Sequence, residues 1–480
     1  MSPNQVLPSD NGALNPVAER VLKVGSLTYE VGKDGIVIAV KSQLLVHTSV
    51  AQDAKLRTEL EDVAERQGTL LGLAPPEAKA AREGDYEPSV DSPVGQVEIW
   101  RLRDETRNSI DESRRLRALA QKPIVMTVRG RELSLPAVSP NHVAILSPAG
   151  GGCPAAPPQP AHDPDGEFIR EPGDQPRAKV TILDSGYIRI EPPHPAHAHL
   201  DARVTVVDGW SLDPNTGTWQ PDRPDGVYTD SAGQLDGISG HGTFIAGLIA
   251  HIAPHAQLEV VGLRNEEVEI GILDPATELG LFETEAAIAH AMLRRADTDV
   301  IQCGFAFPTL DDYPSLPFAT VMAELRTPSA PRGGKVAVVS PAGNEQSRRP
   351  YWPAALPDVI GVASTNRRGN ARAWFSNWGE WCDCCARGEY VYSTFVYWDG
   401  PVEGEPVTDI EHFRGWARWD GTSFAAPKVS AEIARLVAEN PGLAPTSAWE
   451  QLVAGADDVV IDYTLSPYHG VPLTRIPERG

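Results

Sequence analysis

The chain has 480 residues, enough for two or three domains and a large apolar core. Asp and Glu number 65 against 42 Lys and Arg, and the net charge of −23 excludes nonspecific nucleic-acid binding, which needs a basic surface. No apolar run is long enough to span a bilayer, the first residues are polar, and five cysteines form no convincing disulfide framework, so a reduced, cytoplasmic protein with no membrane partner is expected.

Residues 1–147 read as a smaller α+β domain. Residues 28–31 and 36–40 flank a Gly32-Lys33-Asp34-Gly35 turn and predict a hairpin. Leu56, Leu60 and Val63 mark one face of a helix. A loop with Pro75, Pro76, Pro88 and Pro93 follows, then a strand at 97–102, a charged helix at 104–120, and strands at 124–128 and 143–146. Residues 148–176 are rich in Pro and Gly and predict a linker. From 177 to 465 strands and helices alternate, with the clearest strands at 258–263, 300–305, 336–340 and 359–363. That alternation predicts an α/β fold with a mainly parallel sheet flanked by helices. Residues 466–480 have no clear periodicity and read as a peripheral tail.

The chemistry concentrates in the second unit. Gly421-Thr422-Ser423-Phe424-Ala425-Ala426-Pro427 sets Ser423 among mostly small residues, just before a helical stripe of Val429, Ile433, Leu436 and Val437. His241, in Gly240-His241-Gly242-Thr243, opens a helix carrying Phe244, Ile245, Leu248, Ile249 and Ile252. Asp184 closes the apolar strand Val180-Thr181-Ile182-Leu183, and Asn344 follows another strand in Pro341-Ala342-Gly343-Asn344. In a parallel sheet, strand carboxyl ends and helix N-termini share one edge, so these four groups converge. Together they suit acyl transfer. Ser423 attacks the carbonyl, His241 moves the proton, Asp184 holds the imidazole tautomer, and Asn344 with the Ser423 N–H stabilises the oxyanion.

The order Asp, His, Asn, Ser in these motifs resembles the subtilisin-like serine peptidases (subtilases) over about residues 177–460. Ala253-Pro254-His255-Ala256 and Trp374-Phe375-Ser376-Asn377-Trp378-Gly379 share the resemblance. It implies a subtilisin-like fold and a serine endopeptidase that cleaves a peptide or protein substrate through an acyl-enzyme. No cofactor is required, and calcium is implied as a structural ion whose ligands the sequence does not identify. The intact set of four groups argues against a catalytically silent binding or scaffold protein of the same fold. It also implies two readings of residues 1–147: a removable propeptide, or a permanent regulatory domain that docks a protein regulator.

Departures from the family pattern matter for specificity. Gln302-Cys303-Gly304-Phe305-Ala306 stands where subtilases carry a substrate-lining strand resembling Asn-Met-Ser-Leu-Gly, which makes Gly304 and Phe305 candidate substrate-binding residues. Ala386-Arg387-Gly388 replaces the usual Ala-Pro-Gly turn, and Pro427 sits early in the helix after Ser423 against local propensity. Glu266, Glu267, Glu269, Asp274, Glu278, Glu283 and Glu285 form either a solvated acidic loop or a groove wall favouring basic substrate side chains. Cys382, Cys384 and Cys385 read as core thiols, and His194, His197 and His199 as a surface turn, so no metal site is expected.

Overall fold

The computed structural model describes residues 25–32, 35–70, 96–120, 124–128, 131–145, 154–162, 178–189, 195–208, 210–212, 219–221, 227, 229, 233–263, 281–403, 405–456, 459–460 and 473–475. Strands β1 (Leu27–Gly32) and β2 (Gly35–His47) form the hairpin that the glycine turn predicts. Helix α1 (Ala54–Val63) starts at Asp53, whose carboxylate accepts from the Leu56 N–H. Strands β3 (Ala64–Thr69) and β4 (Val97–Leu102) precede helix α2 (Ser109–Arg117). That helix is shorter than its charge pattern suggests, because the Asn108 side chain caps it by accepting from the Asp111 N–H. A ribbon of β5 (Ile124–Val128) and β6 (Arg131–Leu135) leads to β7 (Val138–Ile145).

Next come β8 (Gln159–Pro160), β9 (Ala178–Asp184), α3 (Pro195–Asp201), β10 (Val204–Asp208), β11 (Trp210–Leu212) and β12 (Trp219–Pro221). Helix α4 (His241–Ile252), β13 (Ala256–Gly262), β14 (Leu281–Thr284), α5 (Glu285–Arg294) and β15 (Val300–Cys303) follow. Helix α6 (Leu316–Leu325), β16 (Ala337–Pro341), β17 (Ile360–Thr365) and β18 (Cys384–Arg387) lead to the hairpin β19 (Val391–Gly400) and β20 (Glu411–Trp419). The chain then forms α7 (Thr422–Glu439), α8 (Pro445–Ala454), β21 (Val459–Val460) and β22 (Leu473–Arg475).

Nine strands form the main sheet in the order β10-β13-β9-β15-β16-β17-β18-β22-β21, parallel except for the last pair. Residues 473–475, within the expected peripheral tail, thus extend this sheet beside β18. Alternate strand residues serve opposite faces. Val180, Ile182 and Val339 join α4 and α7 in one cluster, while Leu183, Ile301 and Val338 join α5 and α6 in the other. Pro427 stays inside α7 although it lacks an N–H for the ladder, and Phe424, Val429 and Ile433 around it are fully buried. From β9 the chain runs first to β10 and β13 on one side and then to β15 on the other. This reversal makes the carboxyl end of β9, where Asp184 sits, the topological switch point of the sheet.

The first part of the chain does not keep its sheet to itself. Its strands run β14-β7-β2-β4-β3 with β1 beside β2, so a strand from far beyond residue 147 completes it. Leu44, Val46, Trp100 and Leu102 face α1 and α2, while Leu45, Val97 and Ile99 share the cluster of α5 and α6. A buried polar knot ties the two parts together. Glu285 accepts from the His142 backbone N–H (3.2 Å), His142 Nδ1 (2.6 Å) and Ser315 Oγ (2.6 Å). The Leu310 N–H donates to His142 Nε2 at 3.0 Å, which fixes the neutral tautomer with its proton on Nδ1. Glu285→Ala would strand all three donors, and since a buried unsatisfied group costs about 1–3 kcal/mol, a stability loss of at least about 3 kcal/mol is expected in a urea unfolding comparison with the wild type. A loss under about 1 kcal/mol would show that water replaces the carboxylate there.

The segment predicted as a linker is docked where it is described. Gln159 and Pro160 pair with Arg418 and Ala417, and Trp419 donates its indole N–H to the Ala156 carbonyl.

Candidate active site

Asp184 ends β9 with both carboxylate oxygens engaged. Oδ1 accepts from the Ser185 N–H at 2.7 Å, and His241 Nδ1 lies 2.9 Å from Oδ1 and 3.0 Å from Oδ2. An ionised carboxylate only accepts, so Nδ1 carries the proton and Nε2 is left as the basic nitrogen. His241 is the first residue of α4, and Gly240 before it adopts φ 79°, a left-handed conformation that suits glycine. Gly242 presses the helix start onto the turn after Asp184, where an added Cβ would lie 2.1 Å from the Gly186 carbonyl oxygen. The imidazole packs edge-on against Trp419 at 5.6 Å and against Phe424 at 5.3 Å.

Ser423 is the second residue of α7 and neighbours Phe424. Asp184, His241 and Ser423 are fully buried. His241 Nε2 and Ser423 Oγ each lack a hydrogen-bond partner among the described residues, so the bond between nucleophile and base is not formed. Such bonds often tighten only when substrate is present. Asn344 approaches from the end of β16. Its Oδ1 accepts from the Thr422 N–H at 2.9 Å and from Thr422 Oγ1 at 3.0 Å. A backbone N–H can pair only with the carbonyl side of an amide, so Oδ1 is the side of the Asn344 amide turned toward Thr422. Thr422 does not stand out in the sequence. Its only signal is a hydroxyl beside Ser423 in a motif otherwise built from small and apolar residues.

Of the two candidate substrate-binding residues, Gly304 has no side chain to offer and Phe305 buries its own. Gly304 packs on the carboxylate, with an added Cβ falling 1.6 Å from Asp184 Oδ2. The Phe305 side chain is fully buried and stacks on Phe318 at 6.1 Å, which leaves only its backbone for a substrate.

Glu345, directly after Asn344, accepts from the Asn344 N–H at 2.9 Å and from Asn377 Nδ2 at 3.0 Å. Burial around the carboxyl pushes its pKa up to about 7. A raised carboxyl pKa means the folded chain holds the proton longer than the unfolded one. Stability therefore falls as pH rises from the ordinary glutamate range through about 7. Glu345→Gln is expected to gain in melting temperature relative to wild type across that window. A constant difference between pH 5 and 8 would contradict this.

The other candidate groups fall away from the site. Glu283 and Glu285 are buried against the first sheet and form no groove wall, while Glu266, Glu267, Glu269, Asp274 and Glu278 lie outside the described residues. His197 is no surface-turn residue. It is buried in α3, with Nε2 3.0 Å from the Gly415 carbonyl oxygen. His194 lies outside the described residues, as does the side chain of His199. Cys382 and Cys385 pack with Ala342 and Ala363, Cys384 joins the core beside α7, and burial raises the Cys382 and Cys384 thiols well above the usual range. Among the described residues no group of three His, Cys, Asp or Glu side chains could hold a metal ion. No described helix is long and apolar enough to cross a membrane.

Comparison with known proteins adds an independent view. The model of the subtilase family matches residues 176–467. Thermitase of Thermoactinomyces vulgaris is 28% identical over 261 residues, covering 54% of this chain and 75% of thermitase. Fervidolysin from Fervidobacterium pennivorans, a keratinolytic enzyme related to subtilisin, matches the structure with a TM-score of 0.50 and 17% identity, over 90% of this chain and 59% of its own. A lanthipeptide protease is similar with a TM-score of 0.42 and 21% identity, over 59% of this chain and 81% of its own.

Proposed function

This chain belongs to the subtilase family, and on that premise we propose that it is a serine endopeptidase working through an acyl-enzyme. Ser423 is the nucleophile, His241 the general base and then acid, Asp184 the orienting carboxylate, and Asn344 the oxyanion donor. The observation that carries this reading is the imidazole tautomer. Nδ1 is committed to Asp184 at 2.9 Å, while Nε2 is fully buried without a partner among the described residues, beside the residue that follows Ser423. Labelling by a fluorophosphonate tests it, with Ser423→Ala as control. Labelling confined to Ser423 is the expected result, and none at that residue in an active preparation would sink the assignment. Asn344→Ala is expected to lower kcat by about 10² to 10³, a magnitude carried over from subtilisin rather than derived from this geometry. Full activity in that variant would remove Asn344 from the oxyanion role.

One observation favours a second reading, a catalytically silent binding protein of the same fold. Ser423 and His241 are buried and not bonded to each other. The complete set of acyl-transfer groups weighs against it.

The same contacts support residues 1–147 as a permanent α+β regulatory domain through which a protein regulator would act. Its sheet is completed by β14, and Arg114 and Arg117 both pair with Asp311. The four cysteines among the described residues are buried and free, which suits a reducing, intracellular setting. Intact mass after purification separates this from a propeptide. An uncut wild type supports the regulatory reading, whereas cleavage between 148 and 176 that Ser423→Ala lacks would replace it with self-removal.

A further inference from the structure

The loop that carries Asn344 has little regular structure to hold it. Gly343 takes φ 96° and Gln346 φ 57°, so the backbone turns sharply on both sides of Asn344. Loop N–H and C=O groups without a ladder partner need another one when buried. One fully buried side chain supplies several of them. Asn377 Oδ1 accepts from the Glu345 and Ser347 N–H groups, both at 2.9 Å, and Nδ2 donates to the Ala342 carbonyl and to Glu345 Oε2, both at 3.0 Å. The Asn377 N–H adds a bond to the Gly343 carbonyl at 2.9 Å. Glu345 Oε2 in turn accepts from the Asn344 N–H at 2.9 Å. Gly343 fits tightly over this clamp, since an added Cβ would lie 2.4 Å from Asn377 Nδ2.

Resting on the serine-peptidase reading above, we propose that Asn377 is a positioning residue for the reaction: its amide, bridged by Glu345, sets where Asn344 presents its donor to the oxyanion. It touches neither substrate nor nucleophile. Its effect is on the placement of Asn344 relative to α7, where Thr422 fixes the opposite side of the same amide. Misplacing an oxyanion donor by a fraction of an ångström lowers transition-state stabilisation more than substrate binding.

The chemistry of the pair supplies a test that loop stability alone would not pass. Asn377→Asp keeps the acceptors for Glu345 and Ser347 but replaces the donor with a carboxylate facing the Glu345 carboxylate. Asn377 and Tyr351 are the side chains that act on the Glu345 carboxyl, which burial already keeps protonated to higher pH than usual. A proton shared between two carboxyls restores the donor at low pH. The experiment compares wild type, Asn377→Asp and Asn377→Asp/Glu345→Gln between pH 5.5 and 8.5. It reads kcat and KM on a peptide substrate and the rate of fluorophosphonate labelling at Ser423. Asn377→Asp is expected to lose about 10- to 100-fold in kcat and labelling rate, with KM within about threefold. The deficit relative to wild type shrinks as pH falls. In the double variant the amide introduced at position 345 can donate to the carboxylate introduced at position 377, so much of the loss is recovered at every pH. Wild-type kcat in Asn377→Asp would overturn the proposal. So would a loss that follows the unfolded fraction with no pH trend and no recovery in the double variant. Failure of the wild type itself to label at Ser423 overturns the underlying peptidase reading, and this inference with it.

Discussion

His241→Ala and Ser423→Ala are each expected to cost about 10⁶ in kcat, and the double variant is expected to be no slower than either alone, a scale carried over from subtilisin. The reason is that the two groups act as one. A serine hydroxyl without a base is a poor nucleophile, and a base with no hydroxyl to deprotonate accelerates nothing. Single-turnover hydrolysis of a peptide substrate by the three variants measures this. If the losses multiplied, His241 would be acting on something other than Ser423. The same variants carry an opposite signature in stability. Ser423 Oγ is buried without a partner among the described residues, and a buried unsatisfied hydroxyl costs about 1–3 kcal/mol. Ser423→Ala should therefore melt at a higher temperature than wild type while losing its activity, as expected where function and stability compete.

What the sequence reveals of this site depends on how local each signal is. Asp184, His241, Asn344 and Ser423 stand out because each closes a strand or opens a helix inside a short motif, and the structure brings them to one edge of the sheet. Thr422 and Asn377 lie inside such motifs, but nothing in the sequence gives either one a role. Their work is to orient Asn344 across 78 residues and to bond Glu345 across 32, and neither residue type is unusual in its own surroundings. The first sheet is legible as a hairpin, two helices and several strands. Its completion by Leu281–Thr284 is not, because a four-residue strand after an acidic stretch carries almost no periodicity. Glu285 reads in sequence as one more surface acid, and only its partners His142 and Ser315 identify it as a buried tie. His197 reads as a turn histidine among prolines until Gly415, far along the chain, supplies its acceptor.

Gly304→Ala is expected to cost about as much as losing the triad carboxylate, on the order of 10⁴ in kcat. Strands β15 and β9 pair in parallel with Cys303 opposite Leu183, and the Gly304 N–H donates to the Leu183 carbonyl at 2.9 Å. This register sets Gly304 directly against Asp184. A methyl group there would sit 1.6 Å from Oδ2 and 3.3 Å from the Leu183 carbonyl oxygen, with backbone on both sides. The carboxylate has little room to yield, because Oδ1 is held by the Ser185 N–H and His241 Nδ1. Either Asp184 rotates away and the imidazole loses its orienting acceptor, or the two strands separate at the centre of the sheet. The first outcome removes activity and the second adds an overpacking cost of about 1–3 kcal/mol. Asp184→Asn keeps the space but replaces a charged acceptor oxygen with an amide donor, so a matching kcat loss in both variants would locate the effect at the carboxylate. Gly25→Ala serves as the control, since no described residue lies within 4 Å of its added Cβ, and it should leave both activity and stability unchanged. Wild-type kcat in Gly304→Ala, with Asp184→Asn still inactive, would mean that the sheet yields at β15 without disturbing the His241–Asp184 pair.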